Sequence, residues 1–191
     1  NTAFSADGAL LAIAGGPDAA TVIYRLEHGA EPTLVATIEG LLPPDASFTY
    51  YTAAVAFAPN GRLVIGYEAA VLRVVDTESF EVVAEIDVPD HSFNRDLTFS
   101  ADGSVLLGVG SISIGNVSLV DWPSGDVRWA LGLTDLGVTG CSAQAIDIDR
   151  DRLWCADYYG RLSERDLATG ARTGVELVSQ IGRVGRLAIA A

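Results

Sequence analysis

The chain has no lysine and no methionine, and it has only two histidines among 191 residues. All 12 of its basic residues are arginines, against 25 carboxylates, so the formal net charge is −13. A phosphate-binding loop of the Walker type needs a lysine, and binding to a nucleic-acid backbone needs a basic surface. We therefore expect no nucleotide site of that type and no nucleic-acid partner for this segment.

The sequence has no apolar run long enough to cross a membrane, so no membrane partner is expected. It has only two cysteines, Cys141 and Cys155. A hairpin turning at Asp149 and Arg150 places Cys155 near Ile146 and leaves Cys141 farther away. This register predicts two separate thiols in place of a disulfide, which favours a reducing, cytoplasmic location.

The chain contains a repeated phrase. The segment Phe-Ser-Ala-Asp-Gly at 4–8 returns as Phe-Ala-Pro-Asn-Gly at 57–61, unchanged at 99–103, and in strongly altered form at 148–152, in steps of 53, 42 and 49 residues. A period of roughly 40–50 residues with several short strands per repeat is typical of propeller blades. We predict an all-β fold, a β-propeller of about four four-stranded antiparallel blades.

Each repeat places apolar segments and turn residues in the same order. Asp-Gly or Asn-Gly predicts a tight hairpin after the inner strand, and Asp76, Asp121 and Asp166 predict turns closed by their carboxylates. The predicted inner strands are 53–57, 96–99 and 143–148. The predicted second strands are 10–14, 63–67, 105–109 and 153–156, the third strands are 21–26, 71–76, 116–121 and 160–167, and the fourth strands are 33–38, 81–86, 127–131 and 172–177. Equivalent core positions are predicted for Phe4, Phe57, Phe99 and Ile148.

The repeats divide the chain into blades at approximately 1–40, 52–87, 96–132 and 143–178, with 185–191 beginning the next inner strand. Ile189 lies 41 residues after Ile148, so the period continues to the last residues. We expect an excerpt of a larger ring of about six to eight blades. Apolar blade faces left open in such an excerpt predict self-association of the chain.

The repeated phrases and the Asp-x-x-Ser/Thr-Gly turns resemble those of WD-repeat and YVTN-type propellers across essentially the whole chain. The Trp-Asp dipeptide is replaced by Val75-Asp76, Val120-Asp121 and Arg165-Asp166, so the hydrogen-bond tetrad of strict WD repeats is not expected. Segments 166–177 and 185–190 are similar to the C-terminal propellers of actinobacterial multidomain signalling proteins and transcriptional regulators. The resemblance implies a scaffold for protein–protein interaction in a bacterial regulatory protein.

The acidic segment Asp147, Asp149 and Asp151 does not match a calcium loop. Such a loop needs Gly at its sixth position and Glu at its twelfth, where this chain has Arg152 and Tyr158. No Gly-x-Ser-x-Gly elbow is present, and the adjacent Asp-His-Ser at 90–92 is not a catalytic triad, which is assembled from separated positions. We expect no catalytic residue, no metal site and no cofactor.

The loops between each outer strand and the next inner strand are unusually rich in aromatic residues. In propellers these loops share one face with the turns between second and third strands. Aromatic side chains with a few polar groups are typical of binding hot spots, although such rings can also cap blade cores. The candidate binding residues are Phe48, Tyr50, Tyr51, His91, Phe93, Arg95, Tyr158 and Tyr159.

Three functions compete at this stage. The favoured one is a non-catalytic module that binds a protein or peptide. The alternative is a lactonase-like or quinoprotein-like propeller enzyme with active-site residues partly outside the segment, which would need polar side chains converging at the inner strands. The starts of these strands offer Asp96 and Gln144 beside Thr52, Ala53 and Ala143, which disfavours the enzyme. The third possibility is a purely structural arc.

Overall fold

The computed structural model describes residues 1–15, 20–41, 53–67, 70–88, 93, 95–110, 117–132, 141, 143–157, 159–178 and 187. Within them, sixteen strands form four sheets of four, and each sheet is antiparallel with its strands in chain order. The same residues contain no helix long and apolar enough to cross a membrane. The predicted all-β architecture of four-stranded antiparallel blades is confirmed.

The four sheets are called blades 1 to 4. Blade 1 contains β1 (Thr2–Phe4), β2 (Leu10–Ala14), β3 (Thr21–Arg25) and β4 (Thr33–Ile38), and blade 2 contains β5 (Ala54–Phe57), β6 (Leu63–Gly66), β7 (Val71–Val75) and β8 (Val82–Asp87). Blade 3 contains β9 (Asp96–Phe99), β10 (Val105–Val109), β11 (Val117–Asp121) and β12 (Val127–Leu131), and blade 4 contains β13 (Ala143–Asp147), β14 (Arg152–Ala156), β15 (Arg161–Asp166) and β16 (Arg172–Val178). These bounds agree with the predicted strands to within one residue, because most of the strands are apolar and bounded by turn residues.

A shift of register recurs at the same place in all four blades. It lies between the third and fourth strands, at Ile23/Tyr24, Val74/Val75, Leu119/Val120 and Ser163/Arg165. Such β-bulges bend and twist a strand locally. The common position is independent structural support for the repeat seen in the sequence.

The chain divides into two compact units, Asn1–Leu97 and Thr98–Ala191, with the boundary inside β9. In the first unit, blades 1 and 2 share a core: Ala12, Ala14, Ile23, Ile38, Ala53, Val55, Leu63, Ile65, Tyr67 and Val75. In the second unit, blades 3 and 4 share another: Val105, Leu107, Val109, Val117, Leu119, Cys141, Leu153, Cys155 and Leu167. Each unit is thus stabilised by sheet-on-sheet burial of apolar side chains.

The four residues predicted at equivalent core positions do not share one environment. Phe57 and Ile148 are half-buried against the two cores, and the ring of Phe99 meets that of Trp122 edge to face at 5.3 Å. Phe4 is 61% exposed, so its predicted core position was wrong. Its neighbour Ala3 packs on the core, and alternation along β1 turns Phe4 away from blade 2.

The structure joins Cys141 and Cys155 in a disulfide, with 5.5 Å between their Cα atoms. The prediction of two separate thiols was therefore wrong. The predicted register was also wrong by two residues, since Cys155 pairs with Gln144, while Ile146 pairs with Leu153 across β13 and β14. The backbone before β13 therefore lies close enough to the end of β14 for the two side chains to meet, because this Cα separation is within the range that disulfides span.

The predicted Asp-Gly and Asn-Gly hairpin turns are present and are closed by side chains. In blade 1, the Ser5 hydroxyl donates to Asp7 Oδ1 at 2.6 Å, and the same oxygen accepts the Ala9 N–H at 3.0 Å. Blade 3 repeats this with Ser100 and Asp102 at 2.6 Å. In both turns these hydrogen bonds lower the pKa of the aspartate below its ordinary value, and the bond from the serine hydroxyl has the largest effect.

The carboxylates at the ends of the third strands act in the same way. Asp76 Oδ1 accepts the N–H groups of Glu78 and Ser79, both at 3.0 Å. Asp166 Oδ1 accepts the Thr169 hydroxyl at 2.7 Å and its N–H at 2.9 Å. These bonds lower the pKa of both aspartates. The predicted role of Asp76 and Asp166 in closing turns is confirmed.

These lowered pKa values predict acid sensitivity. A carboxylate whose pKa is lower in the folded state than in the unfolded state stabilises the fold at any pH above its unfolded-state pKa, which is about 4. This stabilisation is lost as the pH falls through the folded-state pKa. The urea unfolding free energy should therefore decrease between neutral pH and about pH 3. Asp102→Asn should reduce this dependence, because Asn60 accepts the Arg62 N–H at the same turn of blade 2 without titrating. An unchanged pH slope in Asp102→Asn would contradict the assignment.

Candidate functional site

Three of the eight predicted binding residues are described by the structure: Phe93, Arg95 and Tyr159. The other five predictions fall on residues outside the described part of the chain, namely Phe48, Tyr50, Tyr51, His91 and Tyr158. Phe93 and Arg95 belong to the first compact unit, and Tyr159 belongs to the second.

Phe93 is a core residue of blade 2. Its side chain is 1% exposed, and its N–H donates to the Tyr67 carbonyl at 3.0 Å. The absence of a side chain at Gly66 lets Phe93 pack closely, since a Cβ on Gly66 would lie 2.5 Å from the Phe93 Cβ. The prediction that Phe93 offers an exposed ring was wrong, because the ring fills the end of the blade. Arg95, two residues later, is half-buried.

Tyr159 is presented by a turn between β14 and β15. Asp157 Oδ1 accepts the N–H groups of Tyr159 and Arg161, at 2.8 and 2.9 Å. Gly160 has a φ of 83°, a left-handed conformation that glycine adopts without steric cost. The Tyr159 side chain is 71% exposed. The turn therefore holds an aromatic side chain in solvent at a fixed backbone position.

A polar cluster that the sequence reasoning missed links blades 1 and 2 at the end where Phe93 lies. Arg73 Nε donates to Glu85 Oε1 at 2.7 Å, and Arg73 Nη1 donates to the Glu39 carbonyl at 2.7 Å. The guanidinium carbon lies 5.5 Å from the centroid of the Tyr67 ring. The sequence signal for this cluster was Arg73 itself, a single charged residue within the otherwise apolar strand Val71–Val75.

The environment of this cluster shifts the pKa of Tyr67. Burial raises the pKa of its hydroxyl above the ordinary value, and the neighbouring Arg73 acts in the opposite direction. The phenol is therefore a neutral group at physiological pH, and its hydroxyl lies 3.5 Å from the Glu39 carbonyl. The contacts of Arg73 and Tyr67 tie two blades together, which is a structural role.

The described carboxylates are used mainly in turns and ion pairs. Asp147 Oδ2 accepts Arg150 Nη1 at 2.7 Å, so the acidic hairpin of blade 4 is internally compensated. Among the described residues, no group of three or more His, Cys, Asp or Glu side chains is placed to hold a metal ion.

Comparison with known proteins does not place the chain in a family. No protein-family model matches it, and no curated protein matches it significantly. The propeller-like repeat is therefore established by the sheets, their register and the turns.

Proposed function

We propose that the chain is a non-catalytic, WD-repeat-like propeller scaffold that recognises a protein or peptide. The observation that supports this most directly is the exposed Tyr159 on a turn fixed by Asp157 and Gly160. Tyrosine combines a large apolar surface with a hydroxyl and has only two side-chain torsions to fix, so it is a frequent interface anchor.

The residues at the starts of the inner strands are consistent with a scaffold. At the inner strands, Ala53 and Ala143 are buried, and Gln144 is 7% exposed. Small side chains at these positions allow close packing of blades and supply no acid, base or nucleophile. The acidic surface, with a net charge of −13, favours a partner with basic groups over a nucleic acid.

The proposed setting is a bacterial regulatory protein, in signalling or transcription regulation, which follows from the resemblance of the repeats alone. The cytoplasmic location expected from the sequence stays a prediction. The disulfide between Cys141 and Cys155 argues against it, because structural disulfides persist mainly in oxidising compartments.

Tyr159→Ala tests this proposal. The immobilised chain should retain at least one protein from a lysate of its source organism, and the variant should bind it about tenfold or more weakly. Val83→Ala is the matched control, since Val83 is 47% exposed on β8 of the other unit. Equal retention by both variants would contradict the role of Tyr159. Turnover of a lactone substrate by the chain would instead favour a propeller enzyme.

A further inference from the structure

Blade 1 has an apolar sheet face that the described residues of blade 2 do not cover. The alternation that turns Ala3 and Ala12 into the shared core turns their strand neighbours outward. Cross-strand pairing places these neighbours in adjacent rows on the same face. This open face of blade 1 is defined by Phe4, Leu11, Ile13, Val22, Tyr24 and Leu34, and the uncharged Thr2 and Thr37 end the row of Ile13 and Val22. Phe4 is 61% exposed and Leu34 is 53% exposed.

The internal repeat indicates what kind of surface covers such a face. Phe57 pairs with Leu63 in blade 2, just as Phe4 pairs with Leu11 in blade 1. Ile65 lies two residues after Leu63 on β6 and therefore on the same face. Leu63 and Ile65 are both 0% exposed, because blade 1 covers them. The covering residues of blade 1 are small or aliphatic: Ala12, Ala14, Ile23 and Ile38. By equivalence, the open face of blade 1 fits the opposite face of another blade of this same repeat.

Blade 4 has a face equivalent to the face that blade 1 packs against blade 2. Leu153 and Cys155 of β14 belong to the core shared with blade 3, so Trp154 between them faces the other way. Trp154 pairs with Ala145, and Leu162 pairs with Leu177, which is 55% exposed. This outer face of blade 4 is defined by Ala145, Trp154, Leu162 and Leu177. Ala145 is buried, at 7% exposure, and the cross-strand partner of Trp154 is the charged Glu164, so the face is apolar only in part and is exposed mainly at Leu177.

Charge is compatible with contact between these two faces. The residues that define the open face of blade 1 carry no charge. On blade 4, Arg152 already pairs with Glu164 at 3.3 Å and with Asp166 at 3.7 Å. Contact would therefore bury apolar side chains and leave no charge without a partner, which is the costly case.

We propose that two copies of this chain associate head to tail, with the open face of blade 1 docked on the outer face of blade 4 of the second copy. Apolar burial drives this contact, and the net charge of −13 on each copy opposes it. Association should therefore become stronger as salt screens the repulsion.

Sedimentation velocity over a range of chain concentrations tests the proposal. The wild-type chain should self-associate, more strongly at high salt. Phe4→Asp and Leu177→Asp should each raise the dissociation constant about tenfold or more. Val83→Asp is the matched control, because it adds the same charge at a 47% exposed valine outside both faces, and it should associate nearly as the wild type does.

A mixture of Phe4→Asp and Leu177→Asp decides the direction of docking. Each variant keeps the face that the other has lost, so the mixture should form a heterodimer with one intact interface, at wild-type affinity. Docking of two blade 1 faces would instead leave Leu177→Asp self-associating and would give no recovery on mixing. Either that pattern or a monomeric wild-type chain would overturn the proposal. Far-UV circular dichroism and urea unfolding establish that each variant is folded.

Discussion

Gly66→Ala is expected to lower the free energy of unfolding by about 2–3 kcal/mol, the cost of overpacking a well-filled core. The added Cβ would lie 2.5 Å from the Phe93 Cβ and 2.9 Å from the Phe93 carbonyl oxygen. Neither atom is the end of a flexible side chain, so the backbone around Phe93 must move. That movement would also strain the Phe93 N–H to Tyr67 carbonyl bond of 3.0 Å. Urea unfolding monitored by circular dichroism measures the loss.

Gly8→Ala is the control for adding a methyl group to a glycine of this chain. A Cβ on Gly8 would meet no atom within 4 Å, but Gly8 has a φ of 72°, so the substitution should cost about 1 kcal/mol from backbone strain alone. Gly66 has no such strain and should nevertheless lose more stability. A smaller loss for Gly66→Ala than for Gly8→Ala would show that Phe93 does not pack on this glycine as described.

The second large effect is expected from the disulfide. Cys141 and Cys155 are 14 positions apart, and closing a loop of about 15 residues stabilises a fold by about 3 kcal/mol in the chain-entropy account. Reduction, or the double replacement of both cysteines by alanine, should therefore lower the urea unfolding free energy by about that amount.

Peptide mapping under non-reducing conditions establishes that the Cys141–Cys155 bond is formed in the sample used for urea unfolding. The reduced wild type and the double alanine variant should lose stability by similar amounts, apart from the small cost of the lost sulfur atoms. If reduction of a fully oxidised sample left the unfolding curve unchanged, the stabilising role of the bond would be refuted.

The elements that local signals specify were the predictable part of the fold. An apolar run followed by Asp-Gly or Asn-Gly determines a hairpin by backbone preference alone, so turns such as those at Gly8 and Gly103 were found. Burial was less predictable, because it depends on neighbouring sheets. Phe4 and Phe57 occupy the same place in their repeats, yet only Phe57 has a blade packed against its face.

The candidate site was less predictable for a related reason. An aromatic residue in a loop can serve a surface or a core, and Phe93 and Tyr159 show both outcomes, with 1% and 71% exposure. Arg73 was missed because its partner is a backbone carbonyl 34 positions away, which no residue pattern encodes. Tyr159, in contrast, lies within the Asp-Tyr-Tyr-Gly segment at 157–160, whose turn residues give a local reason for exposure.

The bulge shared by all four blades bears on how copies of this molecule can add to one another. Within the described residues, each fourth strand lies at the edge of its sheet, and an exposed edge is a template on which a foreign strand can grow into fibrils. The register shift between the third and fourth strands interrupts the regular alternation of side chains and backbone hydrogen-bonding groups along this edge. A fifth strand would have to reproduce the irregularity to pair along its whole length. The repeat therefore discourages fibrous growth at four places at once.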